Sequence, residues 1–360
     1  MHPGDRPSPL FEDEADGVES RCIAGRGSDI LAVVFSQVRV PAGHFGLSRL
    51  FARTRHSLLF LNQPSAQWYR GGEAAIDAAV ERARSMTSAG RVVFYGSSMG
   101  GFGALATARR WPDADAVAYA PDHTIGEPCA QSTDAGLSPA VGEPTLTDLL
   151  AAPRVGSADV VIGLFAPYDA GVAARIQGAA APSIRIVQVA SGHEVHDHLY
   201  TVNVVRRIIG GFTRDVAAAV AERDLIHPPV AAAALAAFAG LDAARRAGGR
   251  VDPEAVRALG LVGNPGVALL EAAAREAAGD LDGAAIVLGD LARTIAASAT
   301  LSTLPKRMLK RVPLRRMAVL AALGRVQDLE TVRTEAAAAF PTDARFASDG
   351  ILAGGIGQHV

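Results

Sequence analysis

The sequence predicts an α/β fold, a doubly wound and mostly parallel sheet, followed by an all-α segment. Three observations predict it. Six short apolar runs recur between residues 30 and 190, helical patterns separate them, and beyond about residue 215 the runs cease and Ala, Leu, Glu and Arg dominate. Continuous apolar runs of this length suit strands covered on both faces. Their alternation with helices is the grammar of a parallel sheet.

The expected strands are Ile30–Phe35, Ser57–Leu61, Arg91–Tyr95, Ala116–Ala120, Val160–Phe165 and Ile184–Ala190. A helix such as Glu73–Arg84 lies between the second and third. Residues 1–21 read as a loose tail that turns acidic at Glu12, Asp13, Glu14 and Asp16. Residues 22–215 then form the α/β domain and 216–360 the helical one, with Pro228-Pro229 as a linker just ahead of the helices. In the helical part, Gly266–Ala278 and Leu281–Ala292 flank a break at Gly279-Asp280. Pro313–Leu323 and the stretch up to Phe340 flank a second break at Gly324-Arg325. Two helical hairpins spaced like this resemble tetratricopeptide-type repeats without their full signature, and an ordinary bundle fits equally.

Composition narrows the function classes. Hydrophobic residues make up 49% of the 360 and charged ones 20%, with a net charge of −2. That balance gives no global attraction to nucleic acid or anionic lipid. Two cysteines, Cys22 and Cys129, rule out a disulfide framework and read as packing residues. There is no basic start followed by an apolar run, and Val230–Leu241 is too short to span a bilayer, so the expected location is cytoplasmic. No dinucleotide fingerprint, phosphate loop or metal-ligand cluster is visible, so neither cofactor nor metal is expected. One charge run, Lys306, Arg307, Lys310, Arg311, Arg315 and Arg316, is either a solvated helix face or a dock for an anionic polymer or protein partner.

The string Gly96-Ser97-Ser98-Met99-Gly100 carries the chemistry. Alone, Gly-x-Ser-x-Gly is weak, but here a strand runs into it and the glycine-rich Gly100–Ala108 opens a helix directly after. This strand–turn–helix resembles the nucleophile elbow of the α/β-hydrolase superfamily, and the resemblance covers about residues 22–215. It implies Ser98 as nucleophile and a Ser…Asp/Glu…His order, with acid and base on loops at the carboxyl ends of strands. His193, after the last expected strand, fits the base, with His196 and His198 as competitors. Asp169, in Ala166-Pro167-Tyr168-Asp169, fits the acid, with Asp122 as the alternative. The oxyanion donors implied are the N–H groups of Met99 and, from the loop Ser36-Gln37-Val38, of Gln37.

Substrate contacts are expected from Trp68 and Tyr69 after the second strand and from His123, while His44 lies near the mouth. Equally, the aromatic pair reads as packing at a helix start. Residues 121–157, between the fourth and fifth strands, should shape the pocket; they are too short and polar for an interfacial lid. Taken together, the Phe-Ser loop, the Gln67-Trp68-Tyr69 segment, the elbow and Pro121-x-His123 also resemble hydrolase-like proteins linked to bacterial surface-glycan assembly. The expected activity is hydrolysis of an ester, on an acylated carbohydrate or another small molecule, through an acyl-enzyme. An acyltransferase with the same residues, or a non-catalytic scaffold whose helices recruit a protein, are the alternatives.

Overall fold

The computed structural model describes residues 8–347, which fall into two compact units. Residues up to Leu164 together with Tyr168–Pro228 form the first, and Phe165–Pro167 with the chain from Pro229 onward form the second.

The first unit is built on eight strands: β1 (Phe11–Ala15), β2 (Val18–Ile23), β3 (Ile30–Phe35), β4 (Ser57–Asn62), β5 (Arg91–Ser97), β6 (Asp115–Tyr119), β7 (Ala158–Gly163) and β8 (Ile184–Val189). They lie in the order β1-β2-β4-β3-β5-β6-β7-β8. Strands β3 to β8 pair in parallel, whereas β1–β2 and β2–β4 are antiparallel. The central strands are buried along nearly their whole length, which is why they read as unbroken apolar runs.

Helices α1 (Ser48–Phe51), α2 (Glu73–Thr87), α3 (Met99–Arg110), α4 (Gln131–Asp134), α5 (Leu146–Ala151), α6 (Pro167–Ile176), α7 (Val195–Thr201), α8 (Val204–Ile209) and α9 (Val216–Ala221) connect or follow the strands. One core layer sets Val34, Phe60, Tyr95 and Val187 of the sheet against Leu199, Ile208 and Val220 of α7 to α9.

Two expectations about domain limits are corrected here. Residues 11–23, taken as mostly tail, are the hairpin β1–β2. Its turn is Asp16-Gly17, both at positive φ (50° and 72°), the geometry that a tight hairpin needs. The acidic residues mislead because β1 is an edge strand exposed at four of its five positions, where charge blunts an open sheet edge. At the other limit, α9 lies past residue 215, yet Val216, Ala219 and Val220 are buried in the first unit's core. The unit therefore runs on to Pro228.

The second unit contains α10 (Ala232–Arg246), α11 (Pro253–Arg257), α12 (Pro265–Ala277), α13 (Leu281–Ala297), α14 (Lys306–Ala322) and α15 (Val326–Ala339). Helices α12 to α15 pack each on the next, around Leu288, Leu320, Val332 and Phe346. Both breaks have a local cause. Gly279 and Gly324 adopt positive φ (80° and 68°), and Asp280 caps α13 by accepting from Gly283 N–H at 2.9 Å. Pro313, expected to open a helix, lies inside α14 instead. Within the charge run on α14, Lys310 pairs with Asp343 at 2.8 Å and Arg315 with Glu276 at 2.6 Å. Among the described residues no helix is long and apolar enough to cross a membrane.

Candidate active site

The site is built where β5, β7 and β8 end. At the end of β5 the chain turns sharply into α3. Ser98 holds φ 54° and ψ −121°, a strained conformation for any residue with a Cβ. It is fixed there by its own N–H donating to Tyr119 O at 2.8 Å and by Phe102 N–H donating to Ser98 O at 3.0 Å. The turn closes only because its flanking positions lack side chains. A Cβ on Gly96 would lie 2.1 Å from Gly100 O, and one on Gly100 would lie 2.5 Å from Phe35 O. The first N–H groups of α3, Met99 among them, have no acceptor within the helix.

After β7, α6 carries Asp169 in its first turn, buried at 1% exposure. After β8, Ser191-Gly192 leads into His193, ahead of α7. His193 Nδ1 lies 3.0 Å and 3.1 Å from the two Asp169 carboxylate oxygens. An ionised carboxylate can only accept, so Nδ1 carries the proton and Nε2 is the free lone pair of the neutral ring. That Nε2 is buried and has no hydrogen-bond partner. Burial pushes the His193 pKa down, but the Asp169 charge and hydrogen bond, helped by Asp122 and Glu194, outweigh it and raise it to about 9.

The loop that delivers His193 passes tightly over β7. A Cβ on Gly163 would lie 2.1 Å from Gly192 O and 2.7 Å from Ser191 O. Gly163→Ala should therefore displace this loop, costing about 1–3 kcal/mol of stability by overpacking and most of any turnover. Denaturant melts and ester assays on the variant check both, and wild-type stability in it would refute the crowding.

The rival base and acid candidates have other duties. His196 and His198 lie on α7 and are both buried. His196 Nε2 meets Tyr95 Oη at 2.8 Å, between the edges of Tyr95 and Tyr119. His198 Nδ1 meets Ser191 Oγ at 3.0 Å, and burial pushes its pKa down to about 4. Asp122 is fully buried; its Oδ2 accepts from Ser132 N–H at 3.1 Å, its Oδ1 is unpartnered, and burial raises its pKa.

Other expected site residues are placed as follows. Gln37 is the second residue after β3, where Phe35 O and Ser36 O abut Gly100. Ser36 is pinned there by Gly46 N–H donating to its Oγ at 2.9 Å and by Tyr69 OH donating to its carbonyl at 2.9 Å. Among the described residues nothing accepts from Gln37 N–H.

Trp68 and Tyr69, expected to meet substrate, are buried at 1% and 4% exposure. Tyr69 fills the space left beside Gly103, where a Cβ would lie 2.5 Å from its ring, and stands edge-on to Phe35 at 5.0 Å. Both border a cleft of about 620 Å³ with Arg70, Phe102, Arg109 and Glu143, a cleft whose lining includes none of Ser98, Asp169 and His193.

His123, also expected to meet substrate, is hydrogen-bonded at both nitrogens: Nδ1 meets Thr124 Oγ1 and Nε2 meets Thr147 Oγ1, each at 3.0 Å. His44 is exposed, with Nδ1 3.1 Å from Ala42 O. Among the described residues no cluster of three or more His, Cys, Asp or Glu could hold a metal ion.

One neighbour of the serine had no signal in the sequence. Ser98 Oγ donates to Gln131 Oε1 of α4 at 3.4 Å. The two residues are 33 apart in sequence, and only the fold of residues 121–157 brings them together.

The eight-stranded order, with its serine turn after β5, makes this an α/β-hydrolase-like fold followed by a helical part. No family model matches the sequence, and no curated protein matches it. Among solved structures, it is similar to the capsule O-acetyltransferase of Neisseria meningitidis serogroup A, at 15% identity and a TM-score of 0.44, over 55% of this chain and 93% of that one. Est1E from Butyrivibrio proteoclasticus matches at 14% identity and a TM-score of 0.42, over 59% and 100% of the two chains. An α/β serine hydrolase without lid from Xanthomonas campestris matches at 13% and 0.38, over 62% and 100%. The fold rests on the strand order and the chemistry on the residues above.

Proposed function

We propose that the first unit is a serine-dependent acyl-ester enzyme in which Ser98 is the nucleophile, His193 the base and Asp169 the acid. The observation that carries this reading is the Asp169–His193 pair at 3.0 Å, with its other nitrogen buried and unpartnered. A buried nitrogen without a partner is costly and rare, and a base awaiting a proton has reason to be one. Ser98, at the elbow after β5, is the nucleophile that the reading pairs with this base.

Ser98 Oγ attacks the ester carbonyl and its proton passes to His193 Nε2. The carbonyl oxygen gains charge and is met by Met99 N–H, with Gln37 N–H as second donor. His193 returns the proton to the departing alcohol, leaving an acyl-serine. Water, or a second alcohol, then takes the acyl group by the same steps in reverse. Acyl transfer and hydrolysis thus share one site, and an acylated carbohydrate or another small ester is the proposed substrate class.

A fluorophosphonate probe tests the reading directly. It should label wild type at Ser98 and fail to label Ser98→Ala; an unlabelled wild type, or an equally labelled variant, refutes the enzyme. For the second unit we propose partner binding through its helices.

A further inference from the structure

We infer that Gln131 is a specificity-determining residue of this site, whose side-chain amide binds the hydroxyl-bearing partner of the acyl group and favours a polyol over water as acyl acceptor. The inference rests on the reading of Ser98 as nucleophile. Its basis is the contact between Ser98 Oγ and Gln131 Oε1 at 3.4 Å, together with the unpartnered His193 Nε2. In the free protein the hydroxyl proton points to an amide that is no base. Attack requires that proton on His193 Nε2, so Ser98 must turn and give up Gln131. The amide is then left at the reacting centre with an open acceptor and two N–H donors. That combination suits neighbouring hydroxyls of one polyol, which offer both donors and acceptors.

The backbone beneath Gln131 is held on both sides. Ser132 N–H donates to the buried Asp122 at 3.1 Å, Gly126 N–H donates to Ser132 Oγ at 2.8 Å, and Ala130 N–H donates to Glu127 O at 3.1 Å. The surrounding segment is clasped at two further points. Arg70 donates to Glu143 Oε1 at 2.5 Å and to Ser138 O at 3.1 Å. From α6, Tyr168 OH and Arg175 donate to Glu127 at 2.8 Å and 2.7 Å. The segment is therefore a fixed wall that presents one amide to the nucleophile, and only the Ser98 side chain has to turn.

In the transfer step the acceptor oxygen bonds to the acyl carbon while the acceptor's proton goes to His193 Nε2. The acyl–Oγ bond breaks and Ser98 recovers its proton from His193. Gln131 holds a second hydroxyl of the acceptor during that step, and water has none to offer.

The experiment acylates the full chain with p-nitrophenyl acetate in the presence of methyl α-glucoside and reads the ratio of acetylated glucoside to acetate. Gln131→Met keeps the length and loses both polar atoms, so the ratio should fall about five- to tenfold, the worth of one net hydrogen bond. Gln131→Glu keeps an acceptor oxygen and should recover much of it. Equal ratios in wild type and Gln131→Met, or no acetylated glucoside from wild type, overturn the inference. Fluorophosphonate labelling in parallel separates the two levels. A wild type that labels at Ser98 with an unchanged ratio removes only the role of Gln131, whereas one that does not label removes the nucleophile as well.

Discussion

Ser98→Ala should lower kcat on p-nitrophenyl acetate by a factor on the order of 10⁵–10⁶, the loss seen when a nucleophile that works as a unit with its base is removed. What survives is whatever Met99 and Gln37 contribute by polarising the carbonyl toward water. The fold should hardly notice the change, because alanine inherits the same φ of 54° and leaves the elbow as strained as before. Glycine has no Cβ, so Ser98→Gly should be as inactive as the alanine variant but more stable than wild type by about 1 kcal/mol. The pair of variants thus reads two consequences of one backbone geometry. A Ser98→Ala protein that keeps more than a tenth of wild-type turnover would end the serine mechanism.

Asp169→Asn should cost about 10⁴-fold in kcat with little change in structure. The amide offers an N–H where the carboxylate offered a lone pair, so Nδ1 becomes the acceptor and the proton moves to Nε2, where the serine needs a base. The pH profile is a second readout. With the His193 pKa raised to about 9 by Asp169 against the pull of burial, wild-type turnover should rise with pH through about 9, since only the neutral ring accepts a proton. Without the carboxylate, burial is left to dominate and the inflection should move to lower pH. Stability carries the opposite sign. The folded pKa lies above the ordinary 6.5, so protonated His193 stabilises fully below 6.5 and that contribution disappears as pH rises through about 9. The stability gap between wild type and Asp169→Asn should therefore be wider at pH 6 than at pH 10. Asp122→Asn provides the contrast. Its carboxylate bonds Ser132 N–H rather than His193, so it should leave the pH inflection much closer to that of wild type. If Asp122→Asn moves the inflection as far as Asp169→Asn does, the acid is wrongly assigned.

The sheet's centre was legible because burial on both faces writes itself as unbroken apolar runs. All six expected strands are present, β3 with its predicted limits Ile30–Phe35. The hairpin β1–β2 was not read, although Asp16-Gly17 and the alternation of Val18, Ser20 and Cys22 are a hairpin signal. Acidic residues on an exposed edge imitate a tail. Pro313 was misleading for a related reason: proline favours a helix start, and packing of α14 on its neighbours accommodates it within the helix instead.

Local sequence thus determined the strand set, the elbow at Ser98 and the helical character of the second unit, because each depends on neighbours within one or two turns of chain. Tertiary structure decided which of three histidines faces Asp169, since one α7 turn buries His196 and His198 while His193 precedes it. It also decided that Trp68 is buried, that Tyr69 packs against Gly103 of α3 and that Gln131 meets Ser98. Those placements depend on crossings between segments far apart in sequence, and no local pattern encodes which side chain fills a gap such as the one beside Gly103.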